Sequence, residues 1–165
     1  PAFLMRDSGL NSGYMIPHVV TASLTSENKV LSHPASVDSI PTSADKEDHV
    51  SMGPIAAHKA LKVARNVSYI LSVELLAACQ GIDLLHPLKP SKALIAVYDK
   101  VRSVSPFMET DRSLYEDIEA VSKLVLSGEI LEDTHGHRIF YFIRTYSSFF
   151  FFRIINVSYF VINKP

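Results

Sequence analysis

Apolar residues recur at three- and four-residue spacing between residues 15 and 126, a period that predicts α-helices. We expect four helices, over residues 15–28, 52–80, 91–105 and 111–126. The second is the longest, and its apolar stripe is Ala57, Ala60, Leu61, Ala64, Val67, Leu71, Leu75 and Ala78. Its expected solvent side carries His58, Lys59, Lys62, Arg65 and Asn66. The pattern therefore predicts an all-α fold around one long helix, whose wide apolar stripe needs other helices to cover it.

Residues with special backbone properties set the expected ends of these helices. Pro17 fits the first turn of the first helix, where a missing amide N–H leaves no hydrogen bond unmade. Gly81 is expected to cap the long helix, Pro106 to end the third, and Asp111 to cap the fourth. The expected buried side of the first helix is Ile16, Val19, Val20, Ala22, Ser23 and Leu24. The third and fourth helices are expected to bury Leu94, Val97, Tyr98, Val101, Leu114, Ile118, Val121, Leu124 and Val125.

The segment between the first two helices, residues 28–51, is polar and contains two prolines, so we expect a loop. Its end carries the carboxylates of Asp45, Glu47 and Asp48 just before the long helix. Acidic residues there offset the helix dipole and cap free amides, which on composition alone is the better interpretation. Asp48 fits that role, whereas Glu47 could equally project into a cleft and receive a cationic or hydrogen-bonding group of a substrate.

Composition limits the classes of function. The chain has 165 residues, of which 47% are hydrophobic and 20% charged, values typical of one soluble globular domain. A formal net charge of −1 provides no electrostatic footprint for nucleic acid and no polybasic patch for a membrane. No signal peptide is visible, and the single cysteine fits a reducing compartment. We therefore expect a cytoplasmic protein that binds neither nucleic acid nor a membrane.

Metal and thiol chemistry find little support in the sequence. His135 and His137 flank one glycine, which is too short a cluster for a metal site, and no His-x-x-x-His pair is present. Cys79 lies beside alanines near the end of the long helix, where a buried, inert thiol is expected rather than a nucleophile. We therefore expect no metal and no catalytic cysteine.

The composition changes abruptly after residue 134, and we treat residues 135–165 as a separate, irregular, aromatic-rich tail. Four consecutive phenylalanines lie at its centre, residues 149–152. Arg144 and Arg153 interrupt the apolar run and would be costly inside a bilayer, although its length approaches that of a membrane span. Its aromatic and β-branched residues favour a strand that would aggregate if exposed. Our preferred interpretation is a non-native extension, from another reading frame or an intron, with no function of its own.

Several segments occur in an order that resembles one enzyme family, histidine ammonia-lyase. The resemblance covers roughly residues 1–132. The segments are Ser-Gly-Leu-Asn-Ser-Gly-Tyr-Met-Ile (8–16), Ser-Glu-Asn-Lys (26–29), His-Pro-Ala-Ser-Val-Asp-Ser (33–39), Glu-Asp-His-Val-Ser-Met-Gly (47–53), Val-Glu-Leu-Leu-Ala-Ala-Cys-Gln-Gly (73–81), Tyr-Asp-Lys-Val-Arg-Ser-Val (98–104) and Asp-Ile-Glu-Ala (117–120). Asp45 and Lys46 replace the common bacterial Asn-Gln, and Pro17 replaces the usual alanine. The resemblance makes residues 1–134 the C-terminal portion of a helical lyase domain.

The resemblance implies a reaction, a cofactor and an assembly. Histidine ammonia-lyase eliminates ammonia from L-histidine and yields trans-urocanate, a step of histidine catabolism. Its electrophile, 4-methylidene-imidazol-5-one, forms from an Ala-Ser-Gly triplet, and a tyrosine acts as base. The family enzyme is a homotetramer of long parallel helices in which each active site draws on three subunits. Ala-Ser-Gly does not occur in this chain, so we expect no catalytic residue here and no activity from the chain alone.

One residue of the family's substrate site is carried over by the resemblance, Glu47. At this position the family places an acid against the substrate imidazole, a ring that can carry positive charge. The related phenylalanine and tyrosine lyases have Gln there, so Glu47 favours histidine as substrate. Two alternatives stay open at this stage: a catalytically dead helical module that acts by assembly, and a portion of a phenylalanine-type lyase.

Overall fold

The computed structural model describes residues 1–132, apart from the side chains of Ala93 and Glu132, so the predicted tail lies outside the described residues. These residues form five α-helices and two short 3-10 turns, with no strand among them. The helices are α1 (Met15–Leu31), α2 (Gly53–Leu84), α3 (Lys92–Val104), α4 (Tyr115–Ser127) and α5 (Glu129–Glu132). The 3-10 turns are Ala2–Leu4 and Ala35–Val37. The predicted all-α class is confirmed.

Helix α2 is the centre of the fold, and α1 and α4 both pack along it. Its 32 residues span about 48 Å at the usual helical rise. The predicted cap at Gly81 is wrong, because helical hydrogen bonding continues to Leu84 and the Leu85 amide still donates to the Gly81 carbonyl (3.2 Å). Among the described residues α2 is the one helix long and apolar enough to span a membrane, a test that the central helix of a bundle also passes.

The apolar core lies at the C-terminal half of α2, where the N-terminal segment, α3 and α4 meet. Its buried members are Met5, Tyr14, Leu76, Cys79, Val101, Met108, Leu114 and Val121. The predicted stripes of α3 and α4 contribute through Val101, Leu114 and Val121. Leu94 is the exception, since 48% of its surface is exposed. The core therefore confirms the helical period of α4 and of the second half of α3.

The buried faces predicted for α1 and α2 are wrong. On α2 the expected stripe is open, with Leu61 54% exposed, while Asn66, expected in solvent, is only 6% exposed. On α1, Ile16 and Val19 are more than half exposed, whereas Thr21 is buried. The sides of α1 and α2 that the described helices cover carry buried polar residues as well as apolar ones, among them Asn28, Asn66 and Leu76.

Three hydrogen bonds join the polar residues on these covered sides. The Asn66 amide on α2 donates to Glu27 Oε2 (2.7 Å) and to Asn28 Oδ1 (2.9 Å), both on α1. Ser68 on α2 and Ser122 on α4 share a buried hydrogen bond of 3.0 Å between their hydroxyls. Pairing buried polar groups avoids the cost of leaving them unsatisfied. The apolar stripe of α2 is left uncovered by the described residues.

The side chains of Gln80 and Asp111 hold irregular segments in place through hydrogen bonds. Gln80, fully buried, donates to the carbonyls of Leu4 (3.2 Å) and Met108 (2.8 Å) and accepts from the Met108 amide (3.1 Å). Asp111 does not cap α4, which begins at Tyr115; its carboxylate instead accepts from the amides of Ser12 (2.7 Å) and Gly13 (2.8 Å). The Asp111 carboxylate therefore binds the N-terminal loop, because the neighbouring amides of Ser12 and Gly13 both donate to it.

Candidate functional site

The loop between α1 and α2 holds the residue predicted to bind substrate. Within it, Thr42 and Glu47 form an isolated antiparallel bridge: the Thr42 amide donates to the Glu47 carbonyl (3.0 Å) and the Glu47 amide donates to the Thr42 carbonyl (3.3 Å). Nearer the base, Ser39 Oγ accepts from the Val50 amide (2.8 Å) and donates to the Val50 carbonyl (3.3 Å). These two pairs share one register, so the loop is a short irregular hairpin with Glu47 on its returning arm.

The tip of this hairpin adopts a strained backbone. Ser43, Ala44 and Asp45 all have positive φ, at 57°, 56° and 63°. Left-handed backbone costs a residue other than glycine roughly 1–2 kcal/mol, so consecutive positions persist only where neighbouring bonds hold them. The Thr42–Glu47 bridge closes directly across this tip and supplies those bonds.

The Glu47 carboxylate lies at the open surface of the hairpin. Thr42 Oγ1 donates to Glu47 Oε2 at 3.2 Å, and both residues are solvent-exposed. Among the described residues Glu47 Oε1 accepts no hydrogen bond. A carboxylate held in this way can accept an N–H donor from a ligand or pair with a ligand cation.

The start of α2 is capped differently from the prediction. Ser51 Oγ accepts from the Gly53 amide (3.2 Å), whereas Asp48, expected to cap here, accepts no hydrogen bond from the first turn. A small cavity of about 160 Å³ lies beside this helix start, with His49 and Ser36 in its wall. Glu47 is not part of that wall. The hairpin thus separates the Glu47 carboxylate from the helix mouth, where sequence reasoning had grouped the acidic residues together.

Contacts between α1 and α2 anchor the base of the loop. Lys62 on α2 forms an ion pair with Glu27 on α1 (2.6 Å). Hydrogen bonds from Lys62 and Asn66 hold the pKa of Glu27 below its usual range. Lys59 Nζ donates to the carbonyl of His33, directly after α1. The chain therefore leaves α1 and enters the hairpin from a fixed position.

The other end of α2 carries a larger cavity of about 510 Å³, with Arg6, His86 and Tyr98 in its wall. Beside it Asp83 is occupied by Arg102 Nη2 (2.5 Å) and by the Tyr98 hydroxyl, so its charge is already compensated. The length of α2 separates this cavity from the hairpin.

The described residues give little support to thiol or metal chemistry. Cys79 is buried, and burial raises the pKa of its thiol to about 11, so it stays protonated and unreactive at neutral pH. Between residues 1 and 132, no group of three or more His, Cys, Asp or Glu side chains is placed to hold a metal ion.

Comparison with known proteins decides the family. The model of aromatic amino acid lyases matches residues 1–103. The chain belongs to the aromatic amino acid lyase family. The residues that match the family model therefore include α1, α2 and nearly all of α3. The Glu47 hairpin lies between the first two of these helices.

Curated relatives within the family are histidine ammonia-lyases. The protein of Myxococcus xanthus is 56% identical over 131 residues, which are 79% of this chain and 26% of the relative. The human protein is 55% identical over 132 residues, which are 80% of this chain and 20% of the relative. The chain thus spans between a fifth and about a quarter of the length of these relatives.

Solved structures give the same family. Histidine ammonia-lyase from Trypanosoma cruzi has a TM-score of 0.78 and 55% identity, and the match covers 81% of this chain and 26% of that one. Tyrosine aminomutase from Streptomyces globisporus has a TM-score of 0.76 but 38% identity, with the same coverage. Phenylalanine aminomutase from Pantoea agglomerans has a TM-score of 0.72 and 34% identity, again with that coverage. The fold is shared by all three, while sequence identity favours the histidine ammonia-lyase, and the predicted resemblance is confirmed.

Proposed function

We propose that this chain supplies one wall of the active site of a histidine ammonia-lyase, which eliminates ammonia from L-histidine and yields trans-urocanate. The observation that carries the proposal is the Glu47 carboxylate, presented on a braced hairpin with Oε1 free to accept an N–H donor. Its sequence position matches the family position that meets the substrate imidazole. An acid at that place favours a ring that can carry charge over a phenyl ring.

Sequence identity supports histidine as the substrate. The chain is 55% identical to the solved histidine ammonia-lyase but 38% and 34% identical to the solved tyrosine and phenylalanine aminomutases. Glu47 adds a chemical reason, because the phenylalanine and tyrosine lyases resemble this segment but have Gln in its place. We propose a cytoplasmic setting, in line with a sequence that contains a single cysteine.

Members of this family generally use a methylidene-imidazolone electrophile, and the residues of this chain do not supply it. The group forms from Ala-Ser-Gly; the nearest strings here are Ala22-Ser23-Leu24 and Ala35-Ser36-Val37. Each lacks the glycine. The reactive group must therefore come from residues outside these 165. The contribution of this chain is to bind and orient the substrate.

The uncovered apolar faces of α1 and α2 are consistent with the proposed homotetramer, in which further helices of the same or of other subunits would cover them. Ile16 and Val19 on α1 and Leu61 on α2 are each more than half exposed. Each fully buried aliphatic side chain is worth about 1.5–3 kcal/mol, so covering these faces would contribute much of the stability of an assembled enzyme.

A chimera tests this function. Residues 1–132 replace the matching segment of the Myxococcus xanthus relative, which supplies the rest of the enzyme. We expect the chimera to convert L-histidine to urocanate, detected by ultraviolet absorbance and by ammonia release, whereas the 165-residue chain alone produces neither. The unmodified relative is the positive control. A chimera that assembles as a tetramer but turns over no histidine would refute the enzymatic role and favour a module that acts by assembly alone.

A further inference from the structure

Thr42 touches Glu47 at three points, and no other described residue contacts the Glu47 carboxylate through a hydrogen bond. Two of the contacts are the reciprocal backbone bonds of 3.0 and 3.3 Å. The third is the hydroxyl bond from Thr42 Oγ1 to Glu47 Oε2, at 3.2 Å. The backbone bonds fix where the Glu47 side chain leaves the hairpin, and the hydroxyl fixes where its carboxylate points.

The surrounding loop explains why this bracing is needed. Both residues are exposed, so packing does not restrict the long Glu47 side chain. The tip that they enclose is strained, with three consecutive residues of positive φ. Without a partner the carboxylate would sample several rotamers, and a ligand would bind at the added entropic cost of ordering that side chain.

The hydroxyl bond also makes the two oxygens of the carboxylate unequal. Thr42 Oγ1 donates to Oε2, whereas Oε1 has no partner among the described residues. A single ring N–H needs only one acceptor, and Oε1 supplies it.

We propose that Thr42 is the positioning residue for Glu47, which it holds ready to accept one N–H of a heterocyclic amino acid. This inference rests on the proposed function, because Glu47 is the substrate-facing acid of that site. It adds a residue that acts through Glu47.

The experiment compares three variants in the chimera: Thr42→Val, which removes the hydroxyl and keeps the branched shape, Thr42→Ser, which keeps the hydroxyl, and Thr110→Val as a control. Thr110 is exposed and lies outside the hairpin. We expect Thr42→Val to raise the KM for L-histidine about tenfold, the value of one hydrogen bond, with kcat within about twofold. Thr42→Ser and Thr110→Val should keep the KM of the unmodified chimera.

The outcomes separate this inference from the function on which it rests. A chimera that assembles as a tetramer but is inactive, or an active one in which Glu47→Gln changes nothing, defeats the proposed function and the positioning role with it. An active chimera that needs Glu47, but in which Thr42→Val leaves KM unchanged, overturns the positioning role alone. Equal impairment by Thr42→Ser and Thr42→Val also overturns it, since the hydroxyl would then not be the cause.

A second measurement uses the 165-residue chain itself and requires no activity. Three-bond NMR couplings report the χ1 rotamer of Glu47. We expect one dominant rotamer in the unmodified chain and in Thr42→Ser, and averaged couplings in Thr42→Val. Averaged couplings in the unmodified chain would contradict the proposal.

Discussion

Replacing Gln80 by Met should remove a buried set of three hydrogen bonds that joins α2 to two irregular segments. Met has a similar length and no hydrogen-bonding amide, so the substitution leaves little cavity while it deletes three bonds. The groups left without partners are the amide and carbonyl of Met108 and the carbonyl of Leu4. Gln80 is fully buried and Met108 is 2% exposed, so water does not reach the two Met108 groups without a local opening, whereas the Leu4 carbonyl is only partly buried.

The magnitude follows from those three groups. A buried polar group deprived of its partner costs roughly 1–3 kcal/mol, with the carbonyls at the lower end because they keep weaker alternatives. The total is about 4 kcal/mol, from which the added apolar surface of Met subtracts about 1 kcal/mol. We therefore expect the free energy of unfolding to fall by about 3 kcal/mol, a loss of about 10 °C in Tm for a domain of this size.

Urea unfolding of the 165-residue chain, followed by far-ultraviolet circular dichroism, measures this loss. Lys123→Met is the matched control, because Lys123 is exposed on α4, where such a change is typically within about 0.5 kcal/mol. Hydrogen exchange of the Met108 amide should accelerate in Gln80→Met alone. A loss no larger than that of the control, or unchanged exchange at Met108, would refute the assigned role of this amide.

Two further predictions concern stability. Gly13 has φ of 53°, and a Cβ there would lie 2.2 Å from Met5 Cγ and 2.6 Å from the Phe3 carbonyl oxygen, so Gly13→Ala should destabilise by about 3 kcal/mol in urea titrations. Gly9→Ala is its control, because nothing lies within 4 Å of that Cβ, and an equal loss at both positions would contradict the account. Burial without a described partner raises the pKa of Glu74 above its ordinary 4.5, so the folded state binds its proton more tightly and stability falls as pH rises above that value. Glu74→Gln should therefore stabilise the chain at pH 7 but not near pH 4, while Glu109→Gln, at an exposed position, does neither; equal effects of Glu74→Gln at the two pH values would exclude this explanation.

Hydrophobic periodicity predicted the helices well because the period is a property of each segment alone. Helix α1 begins at Met15 as expected, and α2 begins at Gly53, one residue from the predicted start. The end of α2 was missed since glycine is compatible with a helix interior when no left-handed turn follows. A left-handed glycine does end α4, at Gly128 with φ of 82°.

The direction of packing could not be read from the same pattern. An apolar stripe shows that a face is to be covered, but it does not show which part of a protein covers it. In the described residues the covered side of α2 includes polar residues, and Asn66 bonds to α1 while Ser68 bonds to α4. Those bonds join residues more than 35 positions apart in sequence, and single-segment patterns carry no such information.

In the candidate site, too, one residue could be predicted from the sequence and its structural partner could not. Glu47 was identified through the family resemblance, and its role stays a prediction. Thr42 was missed, because the hairpin that joins the two residues turns through Ser43, Ala44 and Asp45, none of which signals a left-handed tip as glycine would. In the structure Ser39 pairs with Val50 and Thr42 pairs with Glu47 in the same register. The sequence alone does not mark these residues as partners.

The most direct test of the central claim is the effect of Glu47→Gln on substrate choice in the chimera. Gln keeps an acceptor oxygen but not the charge, which removes about 1 kcal/mol from such a hydrogen bond, so we expect kcat/KM for L-histidine to fall about fivefold. Over the same change, kcat/KM for L-phenylalanine should stay constant or rise, because the phenyl ring offers no N–H. An unchanged kcat/KM for L-histidine would contradict the claim that this carboxylate receives the substrate ring.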